Sequence, residues 1–340
     1  TDAAGAAVSD TFDIEVTNTN DAPTLANAIA DQAIAEDSAL SFQINANVFA
    51  DVDVGETITY TATLSDGTAL PTWMTFVAAT RTFTGTPLNA DVGTIAVKVT
   101  ATDAHFYSVT DTFNLTVTNT NDAPTLANAI ADQTIAEDSA LSFQFNTNVF
   151  ADVDAGDTIT YTATLSNGDA LPTWLTFNAA TRTFGGTPLN ADVGSIAVKV
   201  TATDAGSAAV ADTFNLTVTN TNDAPTVANA IADQAIAEDS ALSFQFNANT
   251  FADIDVGDSF TYTATLADGT ALPSWLSFNA STRTFSGTPA DGDAGAIAVK
   301  VTATDSGSAT VFDTFSLTVS ANAAPASVAL SSNTVAENAA

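Results

Sequence analysis

The chain contains no cysteine. Disulfide staples, thiolate metal sites and thiol chemistry are thereby excluded, although the absence does not fix a compartment. Basic residues are scarce: 6 Lys and Arg stand against 39 Asp and Glu, for a formal net charge of −33. A surface of that sign repels nucleic acid and anionic membrane, which are bound by basic side chains that neutralise phosphate. No apolar run approaches the roughly 18 residues that cross a bilayer. No basic segment followed by an apolar one opens the chain as a secretion signal would. A recurring histidine, a Gly-x-Ser-x-Gly elbow and a phosphate-binding loop are also missing, so nucleophilic and phosphoryl-transfer chemistry have no residues to use. An enzyme is not expected.

What remains is acidic, apolar and periodic. Strong acidity with few aromatics can mark disorder, but 46% hydrophobic residues and 21 Phe argue for a packed core. Folding with so much like charge is costly unless counter-ions neutralise it, and divalent cations are the obvious candidates.

Self-similarity organises the whole chain. Asn20-Asp21-Ala22-Pro23 returns as Asn121-Asp122-Ala123-Pro124 and again as Asn222-Asp223-Ala224-Pro225, a period of 101 residues. Glu36, Glu137 and Glu238 keep that period, as do Trp73, Trp174 and Trp275. The six basic residues Arg81, Arg182, Arg283, Lys98, Lys199 and Lys300 fall on it too. Three repeats are expected, at 20–120, 121–221 and 222–321. Asp10-Thr11-Phe12 matches Asp111-Thr112-Phe113, so residues 1–19 read as the last strand of an earlier repeat. Residues 322–340 read as the start of a further domain of a related but different kind, whose Val335-Ala336-Glu337-Asn338 resembles the opening of a cadherin-type domain, and the chain reads as a fragment.

Inside each repeat the dominant period is two. Ile159, Tyr161, Ala163 and Leu165 alternate with Thr, and Ile196, Val198 and Val200 alternate with Ala197, Lys199 and Thr201. Leu141, Phe143 and Phe145 behave likewise, as do Phe214, Leu216 and Val218. This is the pattern of half-buried antiparallel strands. Ser166-Asn167-Gly168, Leu171-Pro172, Gly185-Gly186-Thr187-Pro188 and Ala205-Gly206 read as turns between them. No segment carries a helical stripe. About seven strands per repeat predict an all-β chain of tandem seven-stranded immunoglobulin/cadherin-like Greek-key β-sandwiches, arranged as an elongated rod.

In order, each repeat reads Asn-Asp-Ala-Pro, Ala-Glu-Asp, an Asp-Xaa-Asp loop, a Pro-Thr-Trp or Pro-Ser-Trp step, Gly-Thr-Pro and Ala-Thr-Asp. That text resembles dystroglycan-type cadherin-like repeats and the immunoglobulin-like repeats of very large bacterial surface proteins. The resemblance implies repeats in long secreted adhesins of the repeats-in-toxin kind, with Ca²⁺ at the junctions. A hard cation takes six to eight oxygens from carboxylates and carbonyls. By position, the first junction would use Glu36, Asn121, Asp122, Asp152, Asp154 and Asp204. The second would use Glu137, Asn222, Asp223, Asp253, Asp255 and Asp305. Asp21, Asp51, Asp53 and Asp103 would be the surviving half of an N-terminal junction. The family's Asp-Arg-Glu element has no counterpart, and Ala180-Thr181-Arg182 stands near its place, so fewer ions per junction are expected. The linker after the third repeat lacks the Asp found as Asp122 and Asp223 and predicts weak or no occupancy there. The competing reading makes these Asp residues separate turn formers and caps.

Three further features have competing readings. Each Trp either caps the sandwich end or packs on a neighbouring turn, which is the leading reading, or stands partly exposed as a sugar-stacking platform. The Arg and Lys residues pair locally with acids or lay their stems over apolar surface. His105, where the other repeats have glycine, decorates a loop. The function expected is a calcium-rigidified extender of a bacterial cell-surface adhesin, holding a distal binding domain away from the cell for adhesion or biofilm formation. The alternative is a polysaccharide-binding module. The expected partners are the neighbouring repeats of a monomeric rod, without nucleic acid or membrane insertion. A glycosidase built on paired carboxylates fits poorly, because a catalytic site is not normally copied three times.

Overall fold

The computed structural model describes residues 1–321. In the first repeat the chain forms β1 (Thr24–Leu25), β2 (Gln32–Ala35), β3 (Leu40–Gln43), β4 (Phe49–Ala50) and β5 (Thr59–Leu64). It continues through β6 (Met74–Val77), β7 (Thr82–Gly85), a 3₁₀ turn (Asn89–Asp91), β8 (Gly93–Thr102) and β9 (Ser108–Thr118). The same strands recur from Thr125–Leu126 to Ala209–Thr219 and from Thr226–Val227 to Thr310–Ser320.

One sheet of the first repeat runs β2-β9-β8-β5 and the other runs β3-β7-β6, while β1 pairs with β4 alone. The seven strands of the two sheets meet the expected count, and the β1–β4 pair is an addition. β2 is parallel to β9, with Ile34 opposite Val117, and all other pairs are antiparallel. The core lies between the sheets. Leu40, Met74 and Phe83 from one sheet cluster with Val97, Val99, Ala101, Phe113 and Leu115 from the other. Phe83 and Phe113 meet edge to face at 5.7 Å, a favoured aromatic geometry.

The alternation read from the sequence holds in the second repeat. Phe145, Leu175, Val198, Val200, Phe214 and Leu216 are buried, and Phe143, Tyr161 and Phe177 are half-buried. The third repeat builds an equivalent cluster around Phe246, Phe285, Val299, Val301 and Phe315.

Two sequence expectations need correction. Gly185-Gly186 is not a turn, because Thr183–Gly186 is a strand paired on both sides, with Leu141 and Leu175 each opposite Gly186. Residues 1–19 form no strand, and Phe12, Ile14 and Val16 are exposed. Their counterparts Phe113, Leu115 and Val117 are held by β2 and β8. The further domain start and the weak third linker, expected over 322–340, lie outside the described residues.

Thr1–Ala129, Asn146–Thr162 and Val200–Asp212 make one compact unit, and Ile130–Phe145, Ala163–Lys199 and the described residues from Thr213 onward make another. Each linker site below lies wholly inside one of these units.

Candidate metal centre at each linker

The parallel pairing of β2 with β9 brings Glu36 to the linker. Just past β2, Glu36 extends the ladder by donating its N–H to the Thr118 carbonyl at 3.0 Å. Its Oε1 accepts the Thr120 amide at 2.8 Å. The side chain is 1% exposed, and its Oε2 is buried without a hydrogen-bond partner. Carboxylate oxygens of Glu36, Asp122 and Asp154 lie within 4.8 Å of one another.

Asp154 organises the site. It is 8% exposed. Its Oδ2 accepts the Asp122 amide at 2.8 Å and its Oδ1 accepts Asn89 Nδ2 at 2.9 Å. Its own amide donates to Asp152 Oδ1 at 3.0 Å, which leaves Asp152 Oδ2 buried and unpartnered. Asp152, Asp154 and Asp157 form a second group of carboxylates within 4.8 Å. Asp204, 5% exposed, accepts Asn121 Nδ2 at 3.0 Å and the Ala208 amide at 2.8 Å. The six expected residues are thus drawn into one network.

The second linker repeats this arrangement. Glu137, Asp223 and Asp255 cluster within 4.8 Å, and so do Asp253, Asp258 and Asp305. Thr221 N–H binds Glu137 Oε1 at 2.7 Å, and Asn190 Nδ2 binds Asp255 Oδ1 at 2.9 Å. Asn222 Nδ2 binds Asp305 Oδ2 at 3.0 Å. Glu137 Oε2 and Asp253 Oδ2 are again buried without partners. In the N-terminal half-site, Asp53 accepts the Asp21 amide and Asn18 Nδ2, both at 2.8 Å. Asp51 Oδ1 accepts the Asp53 amide at 2.9 Å, and Asn20 Nδ2 reaches Asp103 at 3.1 Å.

The electrostatics follow from the crowding. Burial pushes the Asp122 carboxyl above its usual value, and the neighbouring charges of Asp154, Asp37 and Asp152 add to the shift. Asp223 is raised in the same way by burial and by Asp255, Asp138 and Asp253. Burial also opposes ionisation of Asp103, but hydrogen bonds from Asn20, Tyr107 and His105 outweigh it and hold that carboxyl low. A buried polar oxygen without a donor is costly. A carboxylate cluster that holds buried, unpartnered oxygens is chemically suited to a hard divalent cation, and the donor set is entirely oxygen.

Sequence reasoning missed Asn89 and Asn190, which sit in short 3₁₀ turns of the preceding repeat and reach across the linker. It also missed Asp157 and Asp258. The period of 101 marks all four positions except that the third repeat carries Asp291 where Asn89 and Asn190 would recur.

Trp73 and Trp275 are half-buried against the cores of the first and third repeats. Arg81 Nε reaches the Ile44 carbonyl at 3.4 Å, with its guanidinium 5.8 Å from the Tyr60 ring centre. The Lys300 ammonium lies 5.7 Å from the Phe312 ring centre. Behind the hydrogen bonds from Thr68 and Thr270, the charges of Lys98 and Lys300 help to hold the Asp66 and Asp268 carboxyls low.

Tandem sandwiches with acidic linkers define a class of cadherin-like, immunoglobulin-like repeats. The chain belongs to the family described as "Putative Ig domain", whose profile matches residues 22–118, 123–219 and 224–320. It is 32% identical over 152 residues to the serine-rich adhesin for platelets of Staphylococcus aureus strain USA300. That match covers 45% of this chain and 6% of the adhesin. Among solved structures, mouse cadherin-23 EC22-24 is similar with a TM-score of 0.61 at 17% identity, covering 89% of this chain and 99% of the other. Protocadherin gamma B2 domains 1-5 give 0.64 at 17%, covering 92% and 62%. These likenesses establish the fold.

Proposed function

We propose that this chain is part of the extender of a large bacterial cell-surface adhesin, and that Ca²⁺ bound at each linker stiffens it. The observation that carries the reading is the buried Glu36 carboxylate, repeated as Glu137. One oxygen is tied to the linker backbone, the other is buried without a donor, and the carboxylate groups with Asp122 and Asp154, or with Asp223 and Asp255 in the second copy. An ion there would bond to both repeats and to the segment joining them. Glu36, Asp122, Asp152, Asp154, Asp157 and Asp204 would hold ions at the first linker. Glu137, Asp223, Asp253, Asp255, Asp258 and Asp305 would do so at the second. Similarity to an adhesin over part of its length supports extracellular display, with a binding domain elsewhere in the full protein. Polysaccharide binding through the Trp residues is the weaker reading, because Trp73 and Trp275 are packed on their cores.

Calorimetric titration of metal-free protein with Ca²⁺ tests the reading, alongside thermal melting. Binding confined to the folded form raises the melting temperature by mass action. Replacing Asp152 and Asp154 together by Asn should remove the part of that gain owed to the first linker. Identical melting curves with Ca²⁺ and with chelator would end the proposal.

A further inference from the structure

Among the positions at which the first repeat departs from the other two, one pair changes the ligand chemistry of a loop. Position 56 is Glu where the second and third repeats have Asp157 and Asp258, and position 105 is His where they have Gly206 and Gly307. The two changes touch: His105 Nδ1 lies 3.2 Å from Glu56 Oε1. Asp157 and Asp258 group only with other carboxylates, whereas Glu56 groups with Asp103 and His105 within 4.8 Å.

We propose that His105, Glu56 and Asp103, at the edge of the N-terminal half-site, form a site for a zinc-class divalent transition metal. Imidazole suits zinc, copper and nickel, while Ca²⁺ takes oxygen ligands, so replacing Gly by His alters which ion the loop favours. A tetrahedral ion about 2.0–2.1 Å from each ligand sets ligand atoms roughly 3.3 Å apart, close to the Glu56–His105 separation of 3.2 Å. Asp103 supplies the third group from a fixed position. It is 3% exposed, its Oδ1 accepts the His105 and Tyr107 amides at 2.8 and 2.9 Å, and its Oδ2 accepts Asn20 Nδ2 at 3.1 Å.

The linker Asn gives an independent sign. In the second and third repeats a Cβ at the glycine would stand 2.1 and 2.0 Å from Oδ1 of Asn121 and Asn222. Asn20, the first-repeat equivalent of Asn121 and Asn222, has its Oδ1 buried with no hydrogen-bond partner. The His105 side chain is 61% exposed and that of Glu56 16%, so an ion can enter and water completes its coordination. As a bare surface pair, Glu56 and His105 would contribute little. The longer Glu and the His instead extend the cluster outward from Asp103.

The test is calorimetric titration of Zn²⁺ into the full metal-free chain, repeated in saturating Ca²⁺. One zinc per chain is expected in both conditions, and Co²⁺ in its place should show the visible bands of a four-coordinate site. His105→Gly, which restores the residue of the other repeats, should weaken zinc binding by more than about tenfold, a loss that even an outer partner of a metal ligand can cause. The cobalt bands should vanish with it, while the calcium-dependent melting temperature stays unchanged. Glu56→Gln should weaken zinc as well and gives a second variant should the first fold poorly. Equal zinc binding by wild type and both variants, no zinc binding by wild type, or complete displacement of zinc by Ca²⁺ would each overturn the proposal. Because zinc is measured without calcium as well, failure of the calcium reading leaves this outcome separately readable.

Discussion

Gly186 lies in a strand under the carbonyl of Trp174, and a Cβ there would stand 1.8 Å from that backbone oxygen. The glycine also has φ of 149°, and Gly85 and Gly287 repeat the close approach beneath Trp73 and Trp275. Because the blocking atom is backbone, no rotamer change relieves the clash. Gly186→Ala should therefore destabilise by about 3 kcal/mol, at the upper end of overpacking effects. A urea melt within about 0.5 kcal/mol of wild type would contradict this. Phe214 offers the opposite test. It is 2% exposed, with Phe143 and Phe184 at 5.7 and 5.5 Å. Truncation to Ala should cost about 3–5 kcal/mol through the cavity left behind, and a smaller loss in the same denaturant series would argue against a tight core. The inward face of Phe214 was legible because alternation is local and has period two. The role of Gly186 was not, since its constraint comes from a chain segment twelve residues away and a glycine pair before Thr-Pro resembles a turn.

The linker loops show the same division between what is local and what is not. Glu36, Asp122, Asp152, Asp154 and Asp204 were legible through repetition and resemblance, while Asn89 sits in a turn whose sequence carries no mark of its reach to Asp154 at 2.9 Å. The crowding there has a pH signature. The carboxyls of Asp122 and Asp223 are raised above 3.8, so the folded chain holds those protons more tightly than the unfolded one. Their destabilising effect is fully present above the raised folded values and disappears below the unfolded value. In metal-free protein, the variant carrying Asp122→Asn and Asp223→Asn should melt above wild type near neutral pH. That advantage should shrink as pH falls through the raised values. In saturating Ca²⁺ the order should reverse, because the variant loses two ligands. Asp66 and Asp268 titrate the other way. Hydrogen bonds from Thr68 and Thr270 hold their carboxyls low, so the stability they add is lost as pH falls through those lowered values. Melting curves from about pH 7 to pH 4 on both proteins measure the difference, and a pH-independent gap without metal would refute the assignment.

Across the whole molecule the balance of 39 acidic against 6 basic residues was readable from composition, but the placement of the basic groups was not. Arg81 is spent on a carbonyl and a Tyr ring, Lys98 reaches the Ser65 carbonyl at 3.5 Å, and Lys300 lies by Phe312. These contacts leave most of the negative charge to be balanced by solution ions. Two kinds of stabilisation should then be separable. Raising NaCl shortens the screening length from about 30 Å at 0.01 M to about 3 Å at 1 M, so metal-free protein should melt at progressively higher temperature without saturating at any stoichiometric point. Calcium acts differently if it occupies the linker clusters. At fixed ionic strength its effect should saturate, survive high NaCl in part because the ligands are buried, and exceed that of Mg²⁺. Magnesium is smaller, demands near-octahedral geometry and gives up water reluctantly, so a crowded multi-carboxylate site suits it poorly. Melting series in NaCl alone, then with Ca²⁺ or Mg²⁺ at matched ionic strength, separate the cases. Equal gains from the two divalent ions, both erased by high salt, would mean that the acidic clusters respond only to bulk screening and hold no specific ion.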